Sequence, residues 1–325
     1  MDTRAKAVEA AVFTIATGRK VYLDMAFALA RSYRRWHSET DPKFYIATDS
    51  QIECPVDLQA LDIIRVQPGA LGSGFSSKLF LDRLAPARQS LFVDADCLCV
   101  GSLASAFERF RGRAVSVIGR NVGCGEWFGD VGAICRQFGV PSVPRFNGGV
   151  YYVEPGERCS AVYETARSLH QRYDEIGFKR LRGSENDEVL MALAMALHRQ
   201  EPIAERGDIM NSLLAGPGGL EIDVLRGRAL LRNPADHPKH NDWYEMEELR
   251  PRIVHFLGMD CRAYPYGREI ARLKLVDEHG WPAWLARFWV GLSYSAPRRV
   301  LTMVKDLLRP IWHKILGPRP VRYGR

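Results

Sequence analysis

Two aspartates that directly follow an apolar run are the residues best suited to chemistry. The segment 91–93 (Leu-Phe-Val) leads into Asp94 and Asp96, and apolar residues resume at Leu98. Desolvating an isolated carboxylate is costly, so a buried strand carries acids mainly where they meet a ligand. Side chains two positions apart in an extended chain share one face. Two carboxylates on one face suit Mg²⁺ or Mn²⁺, whereas the alternative without a metal is a β-turn, in which Asp is common.

The elements around this pair predict an α/β fold. Residues 11–18, 43–49 and 62–66 have the composition of buried strands, and helical spacing of apolar residues separates the first two. Strands that alternate with helices indicate a doubly wound, mostly parallel sheet. Ligands of such sheets bind beyond the carboxyl ends of the strands, where Thr17 and the aspartate pair fall.

Further candidate residues lie on other segments. A glycine- and serine-rich loop at 69–77 leads into a predicted helix that begins at Lys78, and it matches neither the P-loop nor the dinucleotide fingerprint. Lys78 is either a solvated helix residue or a phosphate contact. Asn147 precedes Gly148 and Gly149, which permit a close backbone approach, and its amide could bond a sugar hydroxyl.

An acidic cluster and a histidine complete the candidates. A helix over 184–199 opens with Glu185, Asn186, Asp187 and Glu188, which suits either a helix cap or a ligand site. His255 ends a late apolar strand, where it is either a structural residue or a metal ligand.

Taken in order, these segments resemble glycosyltransferase family 8 and its relatives on the GT-A fold, over residues 11–267. The resemblance rests on an ordered set: a first strand into a polar turn, Lys78-Leu79-Phe80-Leu81, Phe92-Val93-Asp94-Ala95-Asp96, Phe146-Asn147-Gly148-Gly149-Val150, the cluster at 185–188, and His255-Phe256-Leu257-Gly258. It implies a GT-A type doubly wound mixed sheet and a retaining transferase. The implied donor is a nucleotide-diphosphate sugar, commonly a UDP-sugar, used with Mn²⁺ (or Mg²⁺).

The resemblance also implies site residues. The metal ligands would be Asp94, Asp96 and His255. The catalytic acid or amide would be Asp187, with Glu185 and Asn186 as neighbours because the register is ambiguous by one residue. The residues against the donor would be Ala16, Thr17, Lys78, Asp94, Ala95, Asn147, Gly148, Gly258 and Arg262. Arg262 would replace the lysine that the family often carries shortly after its His-X-X-Gly motif.

The composition is that of a soluble globular protein. The chain has 325 residues, of which 46% are hydrophobic and 26% charged, enough for one large domain or two ordinary ones. Its seven cysteines are an odd number without disulfide-framework or zinc spacing, which indicates a reducing compartment. Residues 1–11 hold no apolar core, so no signal peptide is expected, and no apolar run reaches the roughly 18 residues of a membrane span.

The net charge of +7 is concentrated at the end of the chain. Residues 281–325 carry nine Lys or Arg against one acid, so the first 280 residues are close to neutral. Apolar residues recur there at helical spacing over 281–292 and 300–315, with Pro310 as a predicted kink. Apolar, Trp-rich faces opposite basic ones are typical of interfacial membrane helices, and the alternative is packing on the catalytic domain.

The sequence thus predicts a GT-A catalytic domain at 1–275 and a basic amphipathic tail at 276–325. The predicted protein is a cytoplasmic hexosyltransferase, peripheral at the inner face of an anionic membrane, with a glycan or lipid-linked acceptor. No nucleic-acid partner is expected, because no binding motif accompanies the basic face. The alternatives are a nucleotidyltransferase, which also holds metal with acids at strand ends, and a degenerate scaffold that binds nucleotide sugar without turnover.

Overall fold

Fifteen strands and ten α-helices are present in the part of the chain that the computed structural model describes, residues 8–51, 53–72, 74–259 and 261–317. The strands are β1 (Ala10–Ile15), β2 (Lys43–Thr48), β3 (Asp62–Arg65), β4 (Gln89–Val93), β5 (Cys97–Cys99), β6 (Val115–Ser116), β7 (Ile118–Val122), β8 (Val143–Phe146), β9 (Val150–Val153), β10 (Ile203–Ala204), β11 (Met210–Ser212), β12 (Gly219–Asp223), β13 (Arg228–Arg232), β14 (Glu248–Leu249) and β15 (Ile253–His255). The α-helices are α1 (Lys20–Trp36), α2 (Leu81–Leu84), α3 (Ala104–Phe110), α4 (Val131–Phe138), α5 (Glu157–His170), α6 (Tyr173–Ile176), α7 (Asp187–Leu197), α8 (Tyr266–Leu273), α9 (Ala283–Val290) and α10 (Ala296–Leu316).

A six-stranded sheet in the order β3-β2-β1-β4-β9-β6 forms the centre of the fold. Strands β3, β2, β1 and β4 run parallel, and β9 runs antiparallel to both β4 and β6. All five residues of β4 are buried, because Leu91 and Val93 face one hydrophobic core while Phe92 faces the other. Such burial on both faces is expected of a central strand covered by helices on each side. The predicted doubly wound mixed sheet is confirmed.

The acidic segment is a turn and not the extended strand that its spacing predicts. β4 ends at Val93, and the amide of Cys97 donates to the carbonyl of Asp94 at 3.0 Å. The chain then enters β5, which belongs to a separate three-stranded sheet in the order β11-β15-β5. Both readings of the sequence therefore contribute: the acids occupy a β-turn, and that turn lies at the carboxyl end of a central strand.

The segment after the glycine- and serine-rich loop also differs from the prediction. Lys78 lies inside a 3₁₀ stretch, Gly74–Phe80, and the α-helix begins only at Leu81. Ser73, in the loop itself, lies outside the described residues. The tighter winding leaves Lys78 buried, with its side chain directed into the sheet end rather than into solvent.

Residues 274–290 pack against the rest of the fold. Glu278 and Asp277 pair with Arg31 at 2.8 Å and Arg35 at 3.0 Å, both on α1. In α9, Ala286 and Val290 are fully buried. The predicted domain boundary at 275/276 stays a prediction, and the contacts with α1 and the core continue past it.

Helix α10 differs from every earlier helix in its exposure. A π-helical turn, Gly291–Ser295, joins α9 to α10. Helix α10 continues through Pro310, the residue at which the sequence predicts a kink. Every residue from Pro297 to Trp312 is exposed. Residues 318–325, which complete the predicted tail, lie outside the described residues. No helix among the described residues has the length and apolarity needed to cross a membrane.

Candidate active site

Strand pairing brings Asp96 and His255 together. β15 lies antiparallel to β5 with His255 opposite Cys97, so the imidazole faces the turn that precedes β5. Its Nε2 lies 3.2 Å from Oδ1 of Asp96 and 3.9 Å from Oδ2 of Asp94. His255 therefore lies within 4 Å of both aspartates that the sequence proposes as metal ligands, beyond the end of β4.

The second imidazole nitrogen fixes the orientation of His255. Nδ1 lies 2.7 Å from Oδ1 of Asn147, and the same oxygen accepts the amide hydrogen of Gly149 at 3.1 Å. Because that amide oxygen only accepts, Nδ1 must donate, and the remaining lone pair of a neutral ring lies on Nε2. The side chain of Asn147 thus presents Nε2 to the two aspartates, as outer partners of metal-bound histidines do.

The electrostatics of this pair are those of a charged contact in a buried site. Burial raises the pKa of Asp96, but the charge and hydrogen bond of His255 outweigh it and lower the pKa to about 2. Burial lowers the pKa of His255, and the charges of Asp96 and Asp94 raise it overall. The amide of Gly258 also donates to Oδ2 of Asp96. Leu257 and Gly258 both have positive φ, 58° and 71°, and this turn aims the amide at the carboxylate.

Lys78 connects the aspartate turn with the segment that holds Gly148 and Gly149. Its Nζ donates to Oδ2 of Asp94 at 2.7 Å and to the carbonyl of Gly148 at 2.9 Å. Burial lowers the pKa of Lys78, but the charges of Asp187 and Asp94 raise it above the ordinary value. The ammonium group is therefore charged at neutral pH and lies beside the candidate metal ligands.

Two acids from the start of α7 complete the site. Asp187 is buried and accepts a 2.5 Å hydrogen bond from the hydroxyl of Tyr151. Glu188 accepts the amide hydrogen of Gly148 at 2.7 Å. Burial, together with the charge of Asp187, raises the pKa of Glu188 to about 7. A Cβ added to Gly148 would lie 3.1 Å from the Glu188 side chain, which explains the need for glycine there.

The other members of the acidic cluster lie elsewhere. Glu185 pairs with Arg180 at 2.9 Å and contacts His170 in a partly exposed group outside the site. Asn186 caps α7, where its side chain accepts the amide hydrogen of Glu188 at 3.0 Å. Of the alternative registers, the geometry brings Asp187 to the site and turns Glu185 away from it.

The remaining predicted donor residues lie around the same sheet edge. Ala16 and Thr17 follow β1, which neighbours β4, and the amide of Ala16 donates to the carbonyl of Ala47. Ala95 is buried in the aspartate turn, with its carbonyl 3.4 Å from the hydroxyl of Tyr266. Arg262 is exposed on the segment that leads to α8, and Asp260 before it lies outside the described residues. Their donor contacts stay predictions.

The chain holds a set of donor atoms that fits a divalent cation. Asp96, Cys97 and His255 place one ligand atom each within 4.8 Å of one another, so the most compact group among the described residues includes Cys97 rather than Asp94. When the His255 ring is neutral and carries its proton on Nδ1, the buried Oδ1 of Asp96 has no hydrogen-bond donor and faces Nε2 at 3.2 Å. Burial raises the pKa of the Cys97 thiol well above its usual value, so the thiol is protonated at neutral pH unless a cation displaces its proton.

Three residues of this site were not singled out from the sequence. Cys97 and Tyr151 are not among the candidate residues above, and Glu188 appears there only as a member of the acidic cluster. The signal for Tyr151 is its place two residues after the glycine pair, on the face of β9 that carries a polar group toward α7. For Cys97 the signal is its position one residue after the second aspartate.

Comparison with known proteins identifies which fold the chain has. No protein-family model matches the chain, and no curated protein matches it. Among solved structures, an active-site mutant of LgtC is similar with a TM-score of 0.51 and 14% identity, over 81% of this chain and 94% of that chain. The galactosyltransferase LgtC in complex with donor and acceptor sugar analogues gives a TM-score of 0.49 and 13% identity, over the same shares of 81% and 94%.

A further similar structure is the glycosyltransferase GlyE of Streptococcus pneumoniae TIGR4. Its TM-score is 0.39 at 16% identity, over 61% of this chain and 46% of that chain. The chain thus spans about half the length of this GlyE structure. At such identities the similarity is one of fold. The chain has the GT-A type fold of LgtC, and the predicted resemblance is confirmed at that level.

Proposed function

We propose that the chain is a metal-dependent glycosyltransferase that moves a hexose, with retention, from a UDP-sugar to a glycan or lipid-linked acceptor. The observation that carries the proposal is the meeting of Asp94, Asp96 and His255 at the end of β4. That position is where ligands bind in a sheet of this topology. The fold is shared with LgtC, a galactosyltransferase, and the donor atoms present are those that a diphosphate–metal complex requires.

Asp94, Asp96 and His255 would hold Mn²⁺ or Mg²⁺. The Nε2 lone pair of His255 and the unpartnered Oδ1 of Asp96 face each other across 3.2 Å. When bound, the ion acts as a Lewis acid that stabilises the departing diphosphate. The His255 proton and the cation compete for the same position, because the charges that raise the pKa of His255 also attract the cation.

Lys78 would bind the diphosphate from the other side. Its ammonium group is already held between Asp94 and the carbonyl of Gly148, so it has a fixed position before the donor arrives. A buried cation whose partners are fixed requires little reorganisation when charge develops on the leaving group. Lys78 thus supplies a fixed positive charge beside the metal ligands.

Asp187 and Glu188 would flank the donor sugar. Asp187 is oriented by the hydroxyl of Tyr151, and Glu188 by the amide of Gly148. We assign the direct contact with the anomeric centre to Asp187, because a carboxylate beside it stabilises the positive charge that develops as the bond to diphosphate breaks. Glu188 positions the Gly148 backbone against which the sugar would lie.

The test is product analysis with a panel of nucleotide sugars. The purified chain is incubated with each UDP-sugar with and without Mn²⁺, and UDP and sugar 1-phosphate are both measured. Glycosyl transfer to water or to an acceptor predicts Mn²⁺-dependent UDP release. Release of sugar 1-phosphate, the leaving group when the uridylyl group rather than the sugar is transferred, would instead support the nucleotidyltransferase. A rise in melting temperature with UDP-sugar and Mn²⁺, without any UDP release, would support the non-catalytic scaffold.

We further propose that α10 binds an anionic membrane surface and keeps the enzyme peripheral at the inner face of the membrane. Its apolar side chains form one exposed stripe: Val300, Leu301, Val304, Leu307, Leu308, Ile311 and Trp312. The opposite face carries exposed bases: Arg298, Arg299, Lys305 and Arg309. A helix with this division of residues lies in the headgroup region, with its bases against anionic lipid.

Sedimentation with vesicles tests this proposal in the full chain. Leu301→Glu with Leu308→Glu is expected to abolish sedimentation with vesicles of phosphatidylcholine and phosphatidylglycerol, while UDP release from a soluble donor is unchanged. Val56→Glu is the matched control, because Val56 is 83% exposed on a different surface. Equal sedimentation of the wild type, the α10 double variant and the Val56 variant would refute membrane binding by α10.

A further inference from the structure

A wide basic cleft of about 650 Å³ adjoins the candidate active site, and nothing in the proposed donor chemistry uses it. Its lining includes Arg120, Arg145, Lys239 and Trp243. Two elements that carry active-site residues also contribute residues to the lining of this cleft. β8 carries Arg145 two residues before Asn147, and Leu213, also in the lining, directly follows the strand residue paired with His255.

Two arginines lie directly opposite each other in this cleft. Arg120 on β7 pairs with Arg145 on β8 in the antiparallel register. Like charges in that position are destabilising, because cross-strand side chains are close neighbours. The guanidinium carbons of both lie over the ring of Trp243, at 4.3 Å and 4.5 Å from its centroid. The indole thus holds two repelling cations side by side at the wall of the cleft.

The protein itself leaves most of this charge uncompensated. Among the described residues, the structure gives Arg145 no carboxylate within ion-pair distance, although Arg145 is partly buried. Arg120 has Glu245 at 3.3 Å, in an exposed pair of the kind that contributes little. The one acid in the lining, Asp242, is almost fully exposed and lies near His240. Burial, followed by the charge of Arg120, lowers the pKa of Arg145, in keeping with a cation that lacks a counter-charge.

We propose that this cleft is the acceptor subsite and that it selects a sugar with an anionic substituent, a carboxylate or a phosphate, bound by Arg120 and Arg145. The proposal deepens and rests on the proposed glycosyl transfer, since only a transferase needs a second sugar beside the donor. Paired guanidiniums suit such groups because each offers a planar fork of N–H donors to two oxygens. Arg145 lies two residues before Asn147, which contacts His255, and three before Gly148, whose amide donates to Glu188, so the cleft lies beside the candidate donor-sugar position.

Calorimetric titration with matched sugars tests the selectivity. Methyl β-glucuronide and glucose 6-phosphate are the carboxylate and phosphate probes, and methyl β-glucoside is the neutral reference, each titrated with and without UDP and Mn²⁺. We expect at least one anionic probe to bind at least tenfold more tightly than the neutral sugar. Comparison of the two anionic probes identifies which group the cleft prefers.

Two variants test whether Arg145 causes the preference for anionic sugars. Arg145→Gln is expected to remove the tenfold preference and to leave the affinity for UDP with Mn²⁺ unchanged. Arg158→Gln, an exposed arginine on α5, should keep the preference and serves as the control for lost positive charge. Equal affinity of all three sugars for the wild type, or a preference that survives Arg145→Gln, would overturn the proposal.

The failure of this inference is distinguishable from the failure of the proposed function. An anion preference that depends on Arg145, in a chain that neither binds nor hydrolyses any UDP-sugar, would refute the transferase while the anion site remains. Mn²⁺-dependent UDP release without any anion preference would refute the acceptor subsite alone. A parallel loss of UDP affinity in Arg145→Gln would assign the cleft to the donor and overturn its role as acceptor subsite.

Discussion

The aspartate turn and the helix α10 differ in how their charges are compensated. At the turn, Asp94, Asp96, His255 and Lys78 are largely buried, and each contacts an opposite charge. Along α10, every residue from Pro297 to Trp312 is exposed, and bases outnumber acids. Buried charges are stable only with partners, whereas exposed ones are solvated and contribute little to folding. The charges at the turn are therefore paired within the chain. Helix α10, in contrast, has an apolar face that is exposed in the described structure.

The largest expected effect follows from breaking the buried pair. Asp96→Asn should lower Mn²⁺-dependent UDP release by about a thousandfold, which corresponds to about 4 kcal/mol of transition-state stabilisation. Loss of one partner of a buried pair also costs about 3–5 kcal/mol of stability. Initial rates and urea denaturation measure the two effects. Glu164→Gln, an exposed acid on α5, is the control, and activity retained in Asp96→Asn would contradict the proposed metal site.

The next effect depends on pH and on Glu188. Its folded-state pKa is raised from 4.5 to about 7, so the stability from its protonation is complete below the ordinary pKa and is lost as the pH rises through about 7. Glu188→Gln keeps an acceptor for the amide of Gly148 and carries no charge. It should therefore unfold like the wild type at pH 4 and be more stable at pH 8, by up to about 3 kcal/mol.

Urea denaturation at several pH values measures this difference. Glu157→Gln, at an exposed position on α5, should show no such pH dependence. A stability difference that is the same at pH 4 and pH 8 would mean that Glu188 titrates normally.

A smaller effect is expected from crowding the imidazole. A Cβ at Gly149 would lie 2.8 Å from Nδ1 of His255, closer than Cβ atoms normally approach. Gly149→Ala should displace the ring from the aspartates and reduce UDP release about a hundredfold, which is about 2.7 kcal/mol. Gly291→Ala, with no atom within 4 Å of the added Cβ, should retain activity. Equal activity of both variants would show that the position of the ring is unimportant.

The smallest effect is expected on α10. Leu307 is 77% exposed, so Leu307→Glu should change the free energy of unfolding by less than about 0.5 kcal/mol. Val290 on α9 is fully buried, and Val290→Glu should destabilise the fold by several times that amount. Urea denaturation compares them. Similar losses in both variants would mean that α10 packs on the body of the protein in solution.

The sequence predicted the fold and the proximity of His255 to the two aspartates because both depend on strong patterns. Apolar strands that alternate with helices specify the sheet, and the acids and His255 each end an apolar strand. The sequence did not predict the finer features of the site. The register of the acidic cluster depends on where α7 begins, and a shift of one residue rotates a helical side chain by about 100°. Asn186 caps α7 so that the helix begins at Asp187, and Glu185 stays outside the helix, where it pairs with Arg180.

Other features depend on partners far along the chain. The position of Cys97 beside the site follows from its pairing with His255, and the facing arginines follow from the register of β7 with β8. Local spacing contains no information on these pairings, because they join segments whose order in the sheet is a property of the whole fold. The exposure of α10 is also not determined by the local sequence, because its amphipathic pattern is equally compatible with packing on the catalytic domain.

The position of β15 has a consequence for biosynthesis. This strand lies between β11 and β5, and it delivers the imidazole to acids encoded much earlier in the gene. During translation, the aspartate turn is synthesised well before His255, which lies far along the chain. The proposed cation site would therefore be complete only after His255 has been synthesised, shortly before α10 follows it along the chain.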